Sequence, residues 1–205
     1  MPRPSQSDKI LEAALHCFAT YGYDATRIKH IAEAAGVSEG ALYRHYPSKE
    51  AVAITLFAQH LGAYVRRLQA IVQQHASVQE QLREFVYETI AANHDDPDGV
   101  AFVLLGPPLF GTLPQEIPFP LTIVTEVMRH GQAAGVLRAG NPVLLAAIFL
   151  GCVIRPIIVA RSGLHDHDQV LGSPAETAII ADAAWSAVAL PQQSPAQATV
   201  PPSPQ

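Results

Sequence analysis

Residues 26–49 read TRIKHIAEAAGVSEGALYRHYPSK, and this stretch decides the fold. Ile28, Ile31, Ala32 and Ala35 recur at helical spacing, so one face of a short helix is apolar while Arg27, Lys29, His30 and Glu33 keep to the other. Gly36 stands where a helix C-terminus needs a left-handed residue, Val37 is an apolar plug, and Ser38 can accept from the free amides of the next turn. A second helix, EGALYRHY, therefore begins at Glu39. Helix, glycine turn, serine cap and helix make the arrangement that lays a second helix in the DNA major groove.

The second helix suits close approach. Gly40 and Ala41 keep its leading end thin, Leu42 anchors it to a core below, and Tyr43, Arg44, His45 and Tyr46 carry hydrogen-bond donors of the kind phosphates and base edges accept. Ser48 can cap a further helix whose free amides, with Lys49, hold a phosphate. On the approach side, the Thr26 hydroxyl can cap the first helix and also meet a phosphate, and Arg27 adds a cation beside it. The competing reading of Tyr43, His45 and Lys49 is an ordinary solvated helix face.

These residues carry a family resemblance. The segment KILEAALHCFATYGYDATRIKHIAEAAGVSEGALYRHYPSKEAV, residues 9–52, resembles the DNA-binding domain of TetR-family transcriptional regulators almost end to end. The match runs through Phe18 and Gly22, Thr26, Ile31-Ala32, Gly36-Val37-Ser38, Gly40, Leu42-Tyr43, His45-Tyr46 and Lys49. Tyr46 stands where the family more often has Phe. Glu39, Ala41 and Arg44 occupy base-reading positions at which members differ; Arg44 can fork onto a guanine, and Glu39 can repel phosphate at wrong sites. The DNA-contacting set is thus Thr26, Arg27, Ser38, Glu39, Gly40, Ala41, Tyr43, Arg44, His45, Tyr46 and Lys49.

Composition says globular, with an overall charge that looks wrong for a DNA binder. The chain has 205 residues, 49% of them hydrophobic, and a net charge of -5. That acidity belongs to the second part, because residues 1–50 balance six Lys/Arg against six Asp/Glu. Local placement of Arg27, Lys29, Arg44 and Lys49 must supply any basic patch. Two distant cysteines, Cys17 and Cys152, and a polar start without a secretory signal point to the cytoplasm and reduced thiols. Residues 143–160, VLLAAIFLGCVIRPIIVA, approach a membrane span in length, but Arg155 and Pro156 interrupt them and a buried interface helix is the better reading.

The rest of the chain reads as helices, without strand signal or repeat. The expected fold is all-α: a three-helix helix-turn-helix domain over 1–47, a helical effector-binding and dimerisation domain over 48–190, and a disordered tail over 191–205. Ser7 or Asp8 caps the first helix; Ser48 to about Gln74 forms a long linking helix with more than one apolar stripe. Ser77 opens another, Val100–Leu105 is short, and a proline-rich apolar loop runs from Gly106 to Pro120. Further helices cover about Leu121–Ala134, Asn141–Ser162 and Ser173–Ala189.

The resemblance implies that the last two helices, near 142–162 and 174–189, pair with a second subunit in a four-helix bundle, and that those between enclose a small apolar or amphipathic effector. Phe85, Phe102, Phe110, Phe149 and Cys152 are candidate pocket residues, weighed against plain core packing. Arg155 needs a partner in its apolar helix, either Glu126 or Asp182 as an ion pair or an anionic ligand. His165-Asp166-His167-Asp168 reads as a hydrophilic turn rather than a metal site. Neither a P-loop, a metal-binding histidine pair nor a serine elbow is present, so no enzyme and no cofactor is expected. The expected protein is a cytoplasmic homodimeric repressor that leaves a palindromic operator when effector binds. The alternative is a helical ligand-binding or scaffold protein without operator binding.

Overall fold

The computed structural model describes residues 5–105, 119–162, 171 and 173–191. Within them lie nine helices: α1 (Gln6–Tyr21), α2 (Ile28–Ala35), α3 (Glu39–His45), α4 (Lys49–Gln74), α5 (Val78–Asp95), α6 (Pro97–Leu105), α7 (Pro120–Ala133), α8 (Pro142–Arg161) and α9 (Pro174–Val188). The protein is all-α; among the described residues the single extended pairing is an isolated bridge between Leu137 and Ala189, which ties the end of α9 to the α7–α8 turn. Arg3, Phe110, the loop over 106–118, the His165–Asp168 stretch and the tail from 192 lie outside the described residues.

Most helix starts follow the capping logic of the sequence. Ser38, Ser48 and Ser77 accept from the amides of Ala41, Ala51 and Glu80, and Asn141 accepts from Val143 ahead of Pro142. Four starts differ from expectation. Ser5, not Ser7 or Asp8, caps α1; its hydroxyl takes the Asp8 amide, and its own amide donates to the Asp8 carboxylate, which these bonds hold below its usual range. Arg27, not Thr26, is the N-cap residue of α2. Asp96 accepts from the Gly99 amide, so α6 starts at Pro97, three residues ahead of the expected Val100. The Ser173 hydroxyl is spent on the Glu176 carboxylate rather than on a backbone amide.

Two apolar cores meet along α4. Val52, Leu56, Phe57, Leu61 and Val65 pack with α1, α2 and α3, whereas Leu68, one turn on, packs with α5, α7, α8 and α9. A continuous helix of 26 residues thus holds both cores in one fixed relation. The first core also takes in Phe102 of α6, which stacks on Phe18 of α1 at 5.3 Å and meets Phe57 edge-on at 6.2 Å. The second is the larger, with Phe85, Met128, Phe149 and Ile157 inside it.

The turn between α1 and α2 is pinned from within. The Thr26 hydroxyl lies 2.7 Å from the Gly22 carbonyl and 3.1 Å from that of Cys17, at 1% exposure. Lys49, at the start of α4, donates to the carbonyls of Tyr23 (2.7 Å), Thr26 (2.8 Å) and, more weakly, Asp24 (3.4 Å), with its ammonium 4.3 Å from the Tyr23 ring centre. An ammonium has three protons, and three carbonyls receive them.

Replacing Lys49 with Ala is therefore expected to lower unfolding free energy by about 2 kcal/mol, the scale of hydrogen bonds to a charged donor, read by urea denaturation. Phe102→Ala, which empties the contact between α6 and the first core, is expected to cost about 3–5 kcal/mol in the same measurement, with Phe102→Leu well below that.

Candidate nucleic-acid interface and effector cavity

The recognition helix is held by a small inward face. Leu42 is fully buried and Ala41 is 6% exposed, while Glu39, Gly40, Tyr43, Arg44 and His45 face outward. Gly36, at φ 67°, closes α2 in the left-handed conformation and sends the chain back through Val37 into the Ser38 cap. Two side-chain bonds fasten the far end of α3 to the start of α1: Tyr46 Oη lies 2.7 Å from Ser7 Oγ, and His45 Nε2 lies 3.2 Å from Gln6 Oε1. A Cβ added at Gly40 would meet nothing within 4 Å, so the protein itself leaves that space empty.

This geometry sorts the eleven expected contact residues. Arg27, Ser38, Glu39, Gly40, Tyr43, Arg44 and His45 are exposed, with Tyr43 at 50%, and Arg44 makes no ion pair among the described residues. The other four are engaged within the fold. Thr26 is buried with its hydroxyl committed to two carbonyls; Ala41 shares the inward face with Leu42; Tyr46 is 9% exposed and bonded to Ser7; Lys49 gives its protons to the α1–α2 turn. In each case a fold contact uses the group that phosphate or a base would need. Gln6 and Ser7, which orient α3, were not anticipated, because their role depends on a contact 39 residues away.

A cavity of about 650 Å³ lies against α4, walled by Phe57, Leu61 and Tyr64, by Thr89 and Ala92 of α5, by Gly99, Val100 and Val103 of α6, and by Leu150, Val153 and Ile154 of α8. Among the expected pocket residues, Phe85 and Phe149 are buried in the second core, Phe102 is in the first, and Cys152 is half-buried against the second. The reason is rotation. α8 meets the cavity with Leu150, Val153 and Ile154, and a neighbouring position on a helix points roughly 100° away. Arg155 is exposed and pairs with neither Glu126 nor Asp182; Glu126 instead pairs with Arg129.

The cavity's polar groups were missed by the sequence reading, although a signal was present: His60, Tyr64 and Arg67 recur at helical spacing along α4. His60 Nδ1 lies 2.9 Å from Asp96 Oδ2, directly over Gly99, where a Cβ would stand 2.0 Å from that carboxylate. Arg67 Nη1 is 3.1 Å from the buried Glu88 Oε1, as an ion pair rather than an aligned hydrogen bond. Tyr64 Oη lies 2.6 Å from Thr89 Oγ1, which lies 2.6 Å from the Phe85 carbonyl. Burial pushes the Tyr64 hydroxyl up to about 12, the Thr89 bond partly opposing it, so the phenol stays neutral. No group of three or more His, Cys, Asp or Glu side chains is placed to hold a metal among the described residues.

Comparison with known proteins agrees with this arrangement. Residues 10–59 match the family model described as bacterial regulatory proteins, tetR family. The fatty acid metabolism regulator protein of Bacillus subtilis is 28% identical over 90 residues, 42% of this chain and 46% of that protein, so the match spans about half the length of this curated relative. A solved structure assigned to the tetR-family transcription regulators, from Shewanella sp. PV-4, superposes with a TM-score of 0.73 at 25% identity, covering 92% of this chain and all of that one. AibR, solved in complex with isovaleryl coenzyme A and operator DNA, shares the fold at a TM-score of 0.68 and 20% identity, over 89% of this chain and 97% of its own. Residues 10–59 thus carry a helix-turn-helix that matches the tetR family in sequence, on a helical fold similar over 92% of the chain to that of the Shewanella regulator.

Proposed function

We propose that the chain is a ligand-responsive transcriptional repressor that grips a palindromic operator as a homodimer and leaves it when a small apolar or amphipathic effector fills the α4 cavity. One observation carries this reading: α3 presents Glu39, Gly40, Tyr43 and Arg44 outward on a buried Leu42, with space at Gly40 that no described residue fills. A helix face thin at its leading end and rich in donors behind it fits a major groove. Arg44 is the candidate base reader, while Arg27, Tyr43 and His45 are phosphate contacts.

The second copy has a surface to meet. Leu144, Ile148, Gly151 and Arg155 form an exposed ladder along α8, and Ile179, Asp182 and Ala183 an exposed face on α9. α8 is long and apolar enough to cross a membrane by length and composition, and only a third of its most apolar window is buried. Pairing with a second α8 and α9 covers that surface, and Gly151, with open space at its Cβ position, permits close approach. Arg155, which has no ion-pair partner among the described residues, then meets an acidic side chain of the second copy. Two recognition helices about 34 Å apart read successive major grooves, and an effector against α4 changes that spacing if it binds the two states differently.

Fluorescence anisotropy against sequences selected from random DNA, over a salt series, tests the reader. Arg44→Ala and Tyr43→Ala are expected to weaken binding without lowering the unfolding midpoint, and each lost phosphate contact flattens the log–log salt slope by about 0.9. Selection that enriches no sequence over random DNA would leave a ligand-binding or scaffold protein instead. For the interface, Leu144→Glu combined with Ile148→Glu is expected to shift the mass measured by light scattering from dimer to monomer; an unchanged mass places the interface elsewhere.

A further inference from the structure

We infer that the effector of the α4 cavity is an uncharged, mainly apolar molecule whose polar group is a hydrogen-bond donor, an alcohol, phenol or amide N–H, received by the Tyr64 oxygen. The inference rests on the effector role of this cavity and concerns its chemistry. Every charged side chain on the described wall is already matched. His60 faces Asp96 at 2.9 Å, and Arg67 faces Glu88 at 3.1 Å. A carboxylate or phosphate drawn to Arg67 would compete with the buried Glu88 oxygen for its ion-pair partner; one drawn to His60 would meet the Asp96 carboxylate already 2.9 Å from the ring. An ammonium fares no better, since Asp96 also accepts from the Gly99 amide and packs against the Gly99 Cα, where a Cβ would collide with it. Apart from the exposed Gln59 amide and the Thr89 hydroxyl, the remainder of the wall is mainly hydrocarbon, with Phe57, Leu61, Val100, Val103, Leu150 and Ile154.

The hydroxyl chain fixes which partner the polar group must be. Thr89 has one proton, and the Phe85 carbonyl, 2.6 Å away, can only accept it. Thr89 must therefore accept from Tyr64, whose single proton is spent on that bond. Tyr64 remains neutral because of its burial and is left with lone pairs alone. A ketone, ester or carboxylate at this point finds no proton, whereas an alcohol or amide N–H finds an acceptor. Coenzyme A thioesters, the class bound by AibR, carry phosphates for which this wall offers no unpaired cation among the described residues.

The test uses the full chain with Nile red, a neutral dye, as a fluorescent occupant of the cavity, displaced by four compounds of equal chain length: 1-decanol, methyl decyl ether, decanoate and decanoyl-coenzyme A. Wild type is expected to favour decanol over the ether by roughly three- to tenfold, the effect of one hydrogen bond, with decanoate and the thioester weaker still. Tyr64→Phe should bind the dye and lose the preference for alcohol over ether. Ile154→Trp, which fills the cavity, should lose the dye. Tighter binding of decanoate or decanoyl-coenzyme A than of decanol, or an alcohol preference that survives in Tyr64→Phe, overturns the inference while leaving the cavity as the effector site. Dye that fails to bind wild type, or binds Ile154→Trp equally well, removes the effector reading and this inference together.

Discussion

Between Val65 and Leu68 the apolar side chains of α4 pass from one core to the other without a break in the helix. That continuity is the constraint on which the remaining structure depends. A helix is stiff over a few turns, so the first core cannot rotate against the second unless α4 bends or one core repacks. Because the cavity lies against the same helix, between Phe57 and Arg67, anything that occupies it presses on the element that orients the recognition helix. The cavity and the helix-turn-helix are joined by one continuous helix, with Phe102 on Phe18 as a second point of contact from α6.

The first core is small and is held as much by hydrogen bonds as by hydrocarbon. Thr26 and Lys49 gather the loose carbonyls of the α1–α2 turn, and Ser7 and Gln6 hold the end of α3. Buried carbonyls without donors are costly, and a turn between two short helices leaves several of them. A threonine and a lysine from opposite sides satisfy them, which explains why a cation that looks available for phosphate is committed to the protein.

Much of this was legible in the sequence because it is local. The serine caps at Ser38, Ser48 and Ser77, the glycine turn at Gly36 and the long α4 all follow from rules that span fewer than five residues. What was not legible depends on distance. Thr26 looks like a cap and proves to be a donor to a carbonyl nine residues back; Lys49 looks free until Tyr23, 26 residues away, is brought beneath it. The cavity was misassigned for a related reason. Aromatic residues are the obvious candidates to line a pocket, but Phe85 and Phe149 are large enough to be claimed by the core, and the wall falls to their smaller neighbours. His60, Tyr64 and Arg67 were overlooked because a helix that links two domains draws attention to its apolar stripes and away from its polar one.

Gly40 has a wider meaning for how such a reader changes over time. Glu39, Tyr43 and Arg44 of α3 are exposed, and no described residue fills the space above Gly40. Leu42, the Ser38 cap and the bonds of Tyr46 to Ser7 and of His45 to Gln6 fix the helix in place. On the proposed reading, sequence preference and thermodynamic stability are written largely on separate side chains. A lineage would then retune which DNA it recognises by altering Glu39, Tyr43 or Arg44 one at a time, with little compensating change in the scaffold, and an engineer would graft a new recognition face by the same route.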